Sequence, residues 1–133
     1  MANETTLVLK RTDPIDFIVT DGPSVEKGTI CMFSGPRGVA ANTGTGDVFA
    51  GIARREKIAS DGRTRLSLFT GPGDIFRMTN AAAAPAIAAG AMVTTSGPNL
   101  IRLATSAEQI LGKVVGKALE EIAGSSTGEV MLC

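Results

Sequence analysis

The side chains able to do chemistry are few, and their spacing completes no catalytic set. Histidine, tyrosine and tryptophan are absent from the 133 residues, which removes His-dependent triads and imidazole metal ligands. Two glycine-rich stretches, "GTGTGD" around Gly44 and Gly46 and "GPGD" around Gly71 and Gly73, invite a phosphate-loop reading. The third glycine of a dinucleotide fingerprint would fall on Phe49 or Phe76, and no Lys-Ser/Thr pair completes a Walker loop, so both read as turns. Asp47, Asp61 and Asp74 each neighbour a glycine. They lack EF-hand spacing and are expected to be solvated turn aspartates. Ser34 and Ser96 precede Gly-Pro with no base in a recognisable order around them. Cys31 and Cys133 lie 102 positions apart and form no CxxC pair. Cys31, in an apolar run, is expected to be buried, and Cys133 to be an exposed free thiol. The expectation is a protein that is not an enzyme, with no cofactor and no metal site.

Charge narrows the partners. Thirteen basic and thirteen acidic residues cancel, and the only aromatics are five Phe, which argues against nucleic acid, where counterion release and base stacking are needed. The most apolar stretch, "AAAAPAIAAGAMV" from Ala81 to Val93, is too short and too broken by Pro85 and Gly90 to span a bilayer. "MANETTLVLK" lacks the basic start and apolar core of a signal peptide, so the chain is expected to be made in a reducing cytosol. Lys10 and Arg11 beside Asp13 read as a surface charge cluster.

The elements that must position these residues are short strands. "TICMF", "DVFAGIAR", "TRLSLFT" and "IFRMT" are β-prone runs separated by Gly-Pro and Asp-Gly turns, with 16 Gly and six Pro spread along the chain. "TSAEQIL" offers a short helix with Ser106 as N-cap, Gln109 three residues on and Gly112 as its stop. "GKALEEIAG" has helical composition but reads as strand, because an internal repeat lays it over "GIARREKIA". That repeat is the strongest pattern present. At an offset of 62, "VEKGTICMFSGP" falls on "IAAGAMVTTSGP", so that Gly28 meets Gly90 and Ser34-Gly35-Pro36 meets Ser96-Gly97-Pro98. Gly51 meets Gly116 at an offset of 65, and "SDGRTRLSL" matches "SSTGEVML" with a one-residue slip. The expected fold is mostly β: a small β-barrel or β-tulip of two similar halves, with an extended N-terminal arm and at most one or two short helices. Residues 1–24 form the arm and 25–133 the β-rich domain, with pseudo-repeats at about 25–69 and 87–132. In the arm, Leu7, Leu9, Ile15, Phe17 and Val19 could order on a partner by strand addition, in which case deleting residues 1–20 should leave a folded protein, or the arm could pack on the chain's own barrel. The halves also differ in charge: Arg54 to Arg65 holds five basic and two acidic residues, whereas Lys117 to Glu129 holds one basic and three acidic. Head-to-tail assembly would set Arg54 and Arg55 of one subunit against Glu120 and Glu121 of the next.

Over about residues 22–133 the chain resembles the small capsid decoration, or cement, proteins of tailed bacteriophages. The resemblance lies in "VEKGTICMFSGPRGVA", "GDVFAGIA", "DGRTRLSLFTGPGDIFRM", "AIAAGAMVTTSGP" and "ILGKVVGKALEEIAGSSTGEVML". It implies a compact β-barrel or β-tulip core, often trimeric, seated on the outside of an icosahedral head. The implied partners are the major capsid protein and further copies of the chain, and the implied role is capsid stabilisation. The alternatives are another virion structural subunit, in a tail or in head completion, and a cytosolic β-barrel binding module of the lipoyl or biotinyl kind. The last would need a lysine at a hairpin tip, where neither Lys27 nor Lys113 falls.

Overall fold

The computed structural model of the chain describes residues 4–9 and 13–133. Lys10 and Arg11 of the expected surface cluster lie outside them. Strand β1 (Thr6–Leu9) comes first. A five-stranded barrel follows, of β2 (Ile15–Ile18), β3 (Ile30–Gly35), β4 (Gly38–Ala41), β5 (Phe49–Ala53) and β6 (Arg65–Phe69), closed in the order β2-β4-β3-β5-β6. A second barrel contains β7 (Ile75–Asn80), β8 (Met92–Thr95), β9 (Leu100–Leu103), helix α1 (Ser106–Ile110), β10 (Gly116–Ala118) and β11 (Thr127–Leu132). It runs β7-β11-β10-β8-β9 and closes where β9 returns to β7.

The two barrels have the same topology. In each, the first strand pairs antiparallel with the last and parallel with the third: Ile18 meets Arg65 and Gly38, and Thr79 meets Thr127 and Leu100. The isolated bridges repeat as well, Val25 with Lys57 and Ile87 with Ile122. Left-handed backbone recurs at Gly28 and Gly90, Arg37 and Asn99, Ser60 and Ser125. The mostly β, two-halved fold read from the sequence is therefore the observed one. One register differs. Ladder partners equate Leu66 with Gly128 and Leu68 with Val130, two residues from the sequence match. A two-residue slip keeps the inward face of a strand, so apolar alternation alone could not detect it.

Gly51 and Gly116 explain why the repeat keeps a glycine in its fourth strand. A Cβ on Gly51 would stand 2.7 Å from the Phe69 carbonyl oxygen, and one on Gly116 would overlap the Met131 carbonyl. Both strands press their backbone on the following strand more closely than a side chain allows.

One core cluster fills the first barrel, with Phe17, Val19, Cys31, Val39, Leu66 and Leu68 among its members. The other fills the second barrel and also takes in Ile30 and Ile52 of β3 and β5, with Phe49 and Phe69 packed against it. Alternation on β3 and β5 thus sends one set of side chains into its own barrel and the other into the contact between barrels. The helix is shifted by one residue from its expected start. Thr105 is the N-cap and Glu108 closes the capping box, in place of Ser106 and Gln109. Both halves of the Thr105–Glu108 box form, the Thr105 hydroxyl accepting the Glu108 N–H and the Glu108 carboxylate accepting the Thr105 N–H, and Gly112 takes the left-handed position after the helix.

Candidate functional site

The apolar N-terminal residues divide between surface and core. Phe17 and Val19 point into the first barrel and are buried, so they are not available to a partner. Val19 follows β2, whose ladder with β6 and bridge to β4 complete that barrel. Residues 15–19 are thus integral, and removing residues 1–20 would open the barrel, contrary to the expectation from sequence. Strand alternation shows the difference in hindsight: Ile15, Phe17 and Val19 share a face in sequence, yet Ile15, at the end of the strand, is exposed.

Leu7 and Leu9 lie on β1 and are exposed, as is Val8 between them. β1 pairs with the half of β7 that β9 leaves uncovered, through Thr6 with Arg77, Leu7 with Phe76 and Leu9 with Ile75. Its other edge faces no strand among the described residues. Buried Thr5 anchors it, giving both its N–H (3.2 Å) and its hydroxyl (2.5 Å) to the Gly28 carbonyl. Beneath β1 a cleft of about 350 Å³ runs between the barrels, with Glu4, Lys27 and Arg54 at its polar side and Ile52, Phe69 and Phe76 at its apolar side.

The loop that resembled a phosphate cradle fastens the barrels together. Gly46 N–H donates to the Thr95 carbonyl at 2.9 Å, Gly97 N–H to the Gly44 carbonyl at 2.8 Å, and Asp47 N–H to the Thr95 hydroxyl at 3.1 Å. Arg102 reaches the Thr45 hydroxyl at 3.0 Å and grips Glu108 with both terminal nitrogens, one at 2.9 Å. The Arg102 guanidinium holds the Glu108 carboxyl below its usual range against the opposing effect of burial, with help from the Thr105 N–H. Asn99 Oδ1 accepts the buried Ile30 N–H at 2.9 Å across the same junction.

Lys57 belongs to the basic run from Arg54 to Arg65, where a charged side chain would ordinarily be solvated, yet its side chain is fully buried. It occupies the place that Ile122 holds in the second barrel. Its Nζ donates to the Asp21 carbonyl (2.7 Å) and carboxylate (3.0 Å), the Ile58 carbonyl (3.0 Å) and the Asp61 carboxylate (3.0 Å). Burial by itself would lower the ammonium pKa, but the hydrogen bonds and charges of Asp21 and Asp61 hold it above its usual value. Asp61 is held below the usual carboxylate range by the Arg63 N–H and by Lys57, against burial. The second barrel makes the reverse exchange. Asn80 stands where the first has Val19, and its side-chain amide ties the Pro85 and Ile122 carbonyls at 3.0 and 3.1 Å. The signal for Lys57 was present in the repeat, since it aligned a lysine with a core isoleucine between two Asp-Gly turns.

Of the three turn aspartates, Asp61 is thus an ion-pair partner and Asp74 is fully buried. Among the described residues no group of three or more His, Cys, Asp or Glu could hold a metal ion. Cys31 is buried and Cys133 exposed, both as free thiols, and burial pushes the Cys31 thiol up to about 12. Arg54 and Arg55 are exposed at the rim after β5, and Glu120 and Glu121 at the corresponding rim after β10. Arg54 lines the cleft under β1, whereas Arg55 lines a different groove with Arg63 and Arg65. Sequence reasoning missed Ile110 and Leu111, which at 85% and 66% exposure are the most exposed large apolar side chains described. A capped helix of five residues that buries none of them was the available signal.

No family model matches the chain, and no curated protein matches it either.

Proposed function

We propose that this chain is a capsid decoration protein that binds the outside of an icosahedral phage head and stabilises it. Its partners in this reading are the major capsid protein and further copies of itself, as a homotrimer. The observation that carries the proposal is the exposed apolar edge strand β1, where Leu7, Val8 and Leu9 accompany an edge without a strand partner among the described residues. Such an edge is an adhesive feature, able to add to a sheet of another protein through main-chain hydrogen bonds. Ile110 and Leu111 supply a second apolar projection. The sequence resemblance points the same way. Each copy needs only a modest interface, about 800 Å² per partner, because a multimer engaging a repeating lattice gains from effective concentration.

The test mixes the protein with undecorated, expanded heads. Saturable binding in many copies and a rise in heat or shear resistance of the heads are expected. Leu7→Asp with Leu9→Asp should weaken binding tenfold or more, a loss of roughly 1.4 kcal/mol, while the far-ultraviolet spectrum stays that of the parent. Binding confined to tails or to a head vertex would move the chain to another virion structural role, and absence of any binding would end the proposal.

A further inference from the structure

Equivalent faces of the two barrels differ in one respect that fold symmetry does not require. On the second barrel, the outward face of β7 and β11 is satisfied within itself. Arg77 pairs with Glu129 at 3.3 Å across the ladder, and the Thr79 and Thr127 hydroxyls meet at 3.2 Å. The matching positions on β2 and β6 of the first barrel are Asp16 opposite Ser67 and Ile18 opposite Arg65. There the Asp16 carboxylate accepts the Ser67 hydroxyl at 2.5 Å, Ile18 is 46% exposed, and the Arg65 guanidinium has no partner among the described residues. Arg55, also without one, and Arg63 line the same groove of about 410 Å³. Arg63 lies 3.9 Å from Asp61, whose other carboxylate oxygen is held by Lys57. Three guanidiniums share the groove with a single carboxylate, Asp16, one oxygen of which already accepts the Ser67 hydroxyl; the groove is therefore net positive, and beside an exposed isoleucine it has the composition of an interface centre.

The same chain carries the complement. After β10, at the rim position matching Arg54 and Arg55, stand exposed Leu119, Glu120 and Glu121. Glu121 has no partner among the described residues, and Glu120 commits one oxygen to the Glu129 N–H at 3.1 Å. Basic face and acidic loop belong to different barrels of one chain. We propose that the β2–β6 face of the first barrel is a docking surface for the Leu119–Glu121 loop of a second copy, so that subunits join head to tail. Leu119 meets Ile18, and the two glutamates take the free arginines, where bidentate pairing is available. A contact of this kind is heterologous and closes into a ring if its rotation allows. The inference rests on the self-assembly part of the proposed function and relocates the expected contact from Arg54 to Arg55, Arg63 and Arg65.

Sedimentation velocity of the full chain over a wide concentration range tests it without any capsid. The parent is expected to form a closed oligomer that weakens as salt rises. Arg65→Glu or Glu121→Arg alone should weaken association roughly tenfold or more. Arg65→Glu and Glu121→Arg combined in one chain should restore assembly, because every contact of a ring of any size then carries the reversed pair. Arg55→Glu serves as a second basic variant should Arg65→Glu fail to fold. A parent that stays monomeric, or an oligomer indifferent to both reversals, would overturn the inference. So would variants that lose head binding while self-association is unchanged, since the face would then belong to the capsid. Failure of Leu7→Asp with Leu9→Asp to affect head binding bears only on the proposed function, so the two readings fail separately.

Discussion

Lys57 has four acceptors within 3.0 Å and no exposure, so its charge is tolerable only while those acceptors hold it. Lys57→Met should lower the urea midpoint with little change in slope, because it orphans Asp21 and Ile58 carbonyls and leaves Asp61 without its cation. The pH dependence has two limbs. Asp61 titrates lower in the fold, so its contribution is whole above the ordinary aspartate value of about 3.9 and is lost as pH falls through the lower native value. Lys57 titrates higher, so its contribution is whole below about 10.4 and is lost as pH rises through the native value. Urea midpoints measured between neutrality and pH 2 should fall less steeply in Asp61→Asn than in the parent; equal slopes would remove Asp61 from the acid response. Glycine gives a second contrast. Gly116→Ala forces a Cβ into the Met131 carbonyl and should cost roughly 3 kcal/mol. Gly62→Ala meets open space and only left-handed backbone, about 1 kcal/mol, and thermal unfolding separates the two.

At the scale of elements, the N-terminal segment is two strands with different duties. Removing residues 1–9 should leave both barrels closed and the circular dichroism β-rich. Removal through residue 20 takes β2 away and should abolish cooperative unfolding, because Phe17 and Val19 leave the core and β4 and β6 lose their shared neighbour. Thr105→Ala, which removes the hydroxyl that accepts the Glu108 N–H, should cost about 1 kcal/mol, read as a small drop in Tm. Sequence made most elements legible, since Gly-Pro and Asp-Gly turns bound apolar alternation. It also made the duplication legible, since glycines at Gly51 and Gly116 answer a steric demand that recurs in both halves. Less was visible where position depends on distant chain. That "GTGTGD" joins two barrels depends on Thr95 and Gly97, some fifty residues away, and no local pattern encodes that. The burial of Lys57 was masked by its charged neighbours. The division of the arm into an edge strand, β1, and a barrel strand, β2, depends on which edges of β7, β4 and β6 are already covered.

Across the whole molecule, two barrels of equal topology share one apolar cluster and one polar clasp, so they are expected to unfold together. Calorimetry should show a single transition whose calorimetric and van't Hoff enthalpies agree. Ile52→Ala, at the junction, should lower stability by roughly 3 kcal/mol and shift that transition without splitting it; two resolved transitions would make the barrels independent. The internal symmetry also separates duty from scaffold. Where the halves agree, as at Val25 and Ile87 or Cys31 and Val93, the residues fill a barrel. Some disagreements are exchanges inside the barrels, Lys57 against Ile122 and Val19 against Asn80, whereas others, as at Arg65 and Thr127, lie on the surface and are open to a partner.

The Ile30 N–H finds its acceptor on Asn99, 69 residues further along the chain, and this bears on synthesis. A growing polypeptide could close its leading barrel once β6 has left the ribosome, yet Ile30 and Ile52 would then face water until the trailing half is made. For that interval the nascent chain presents a greasy flank, and any delay in translation beyond Phe69 lengthens its exposure to wrong neighbours.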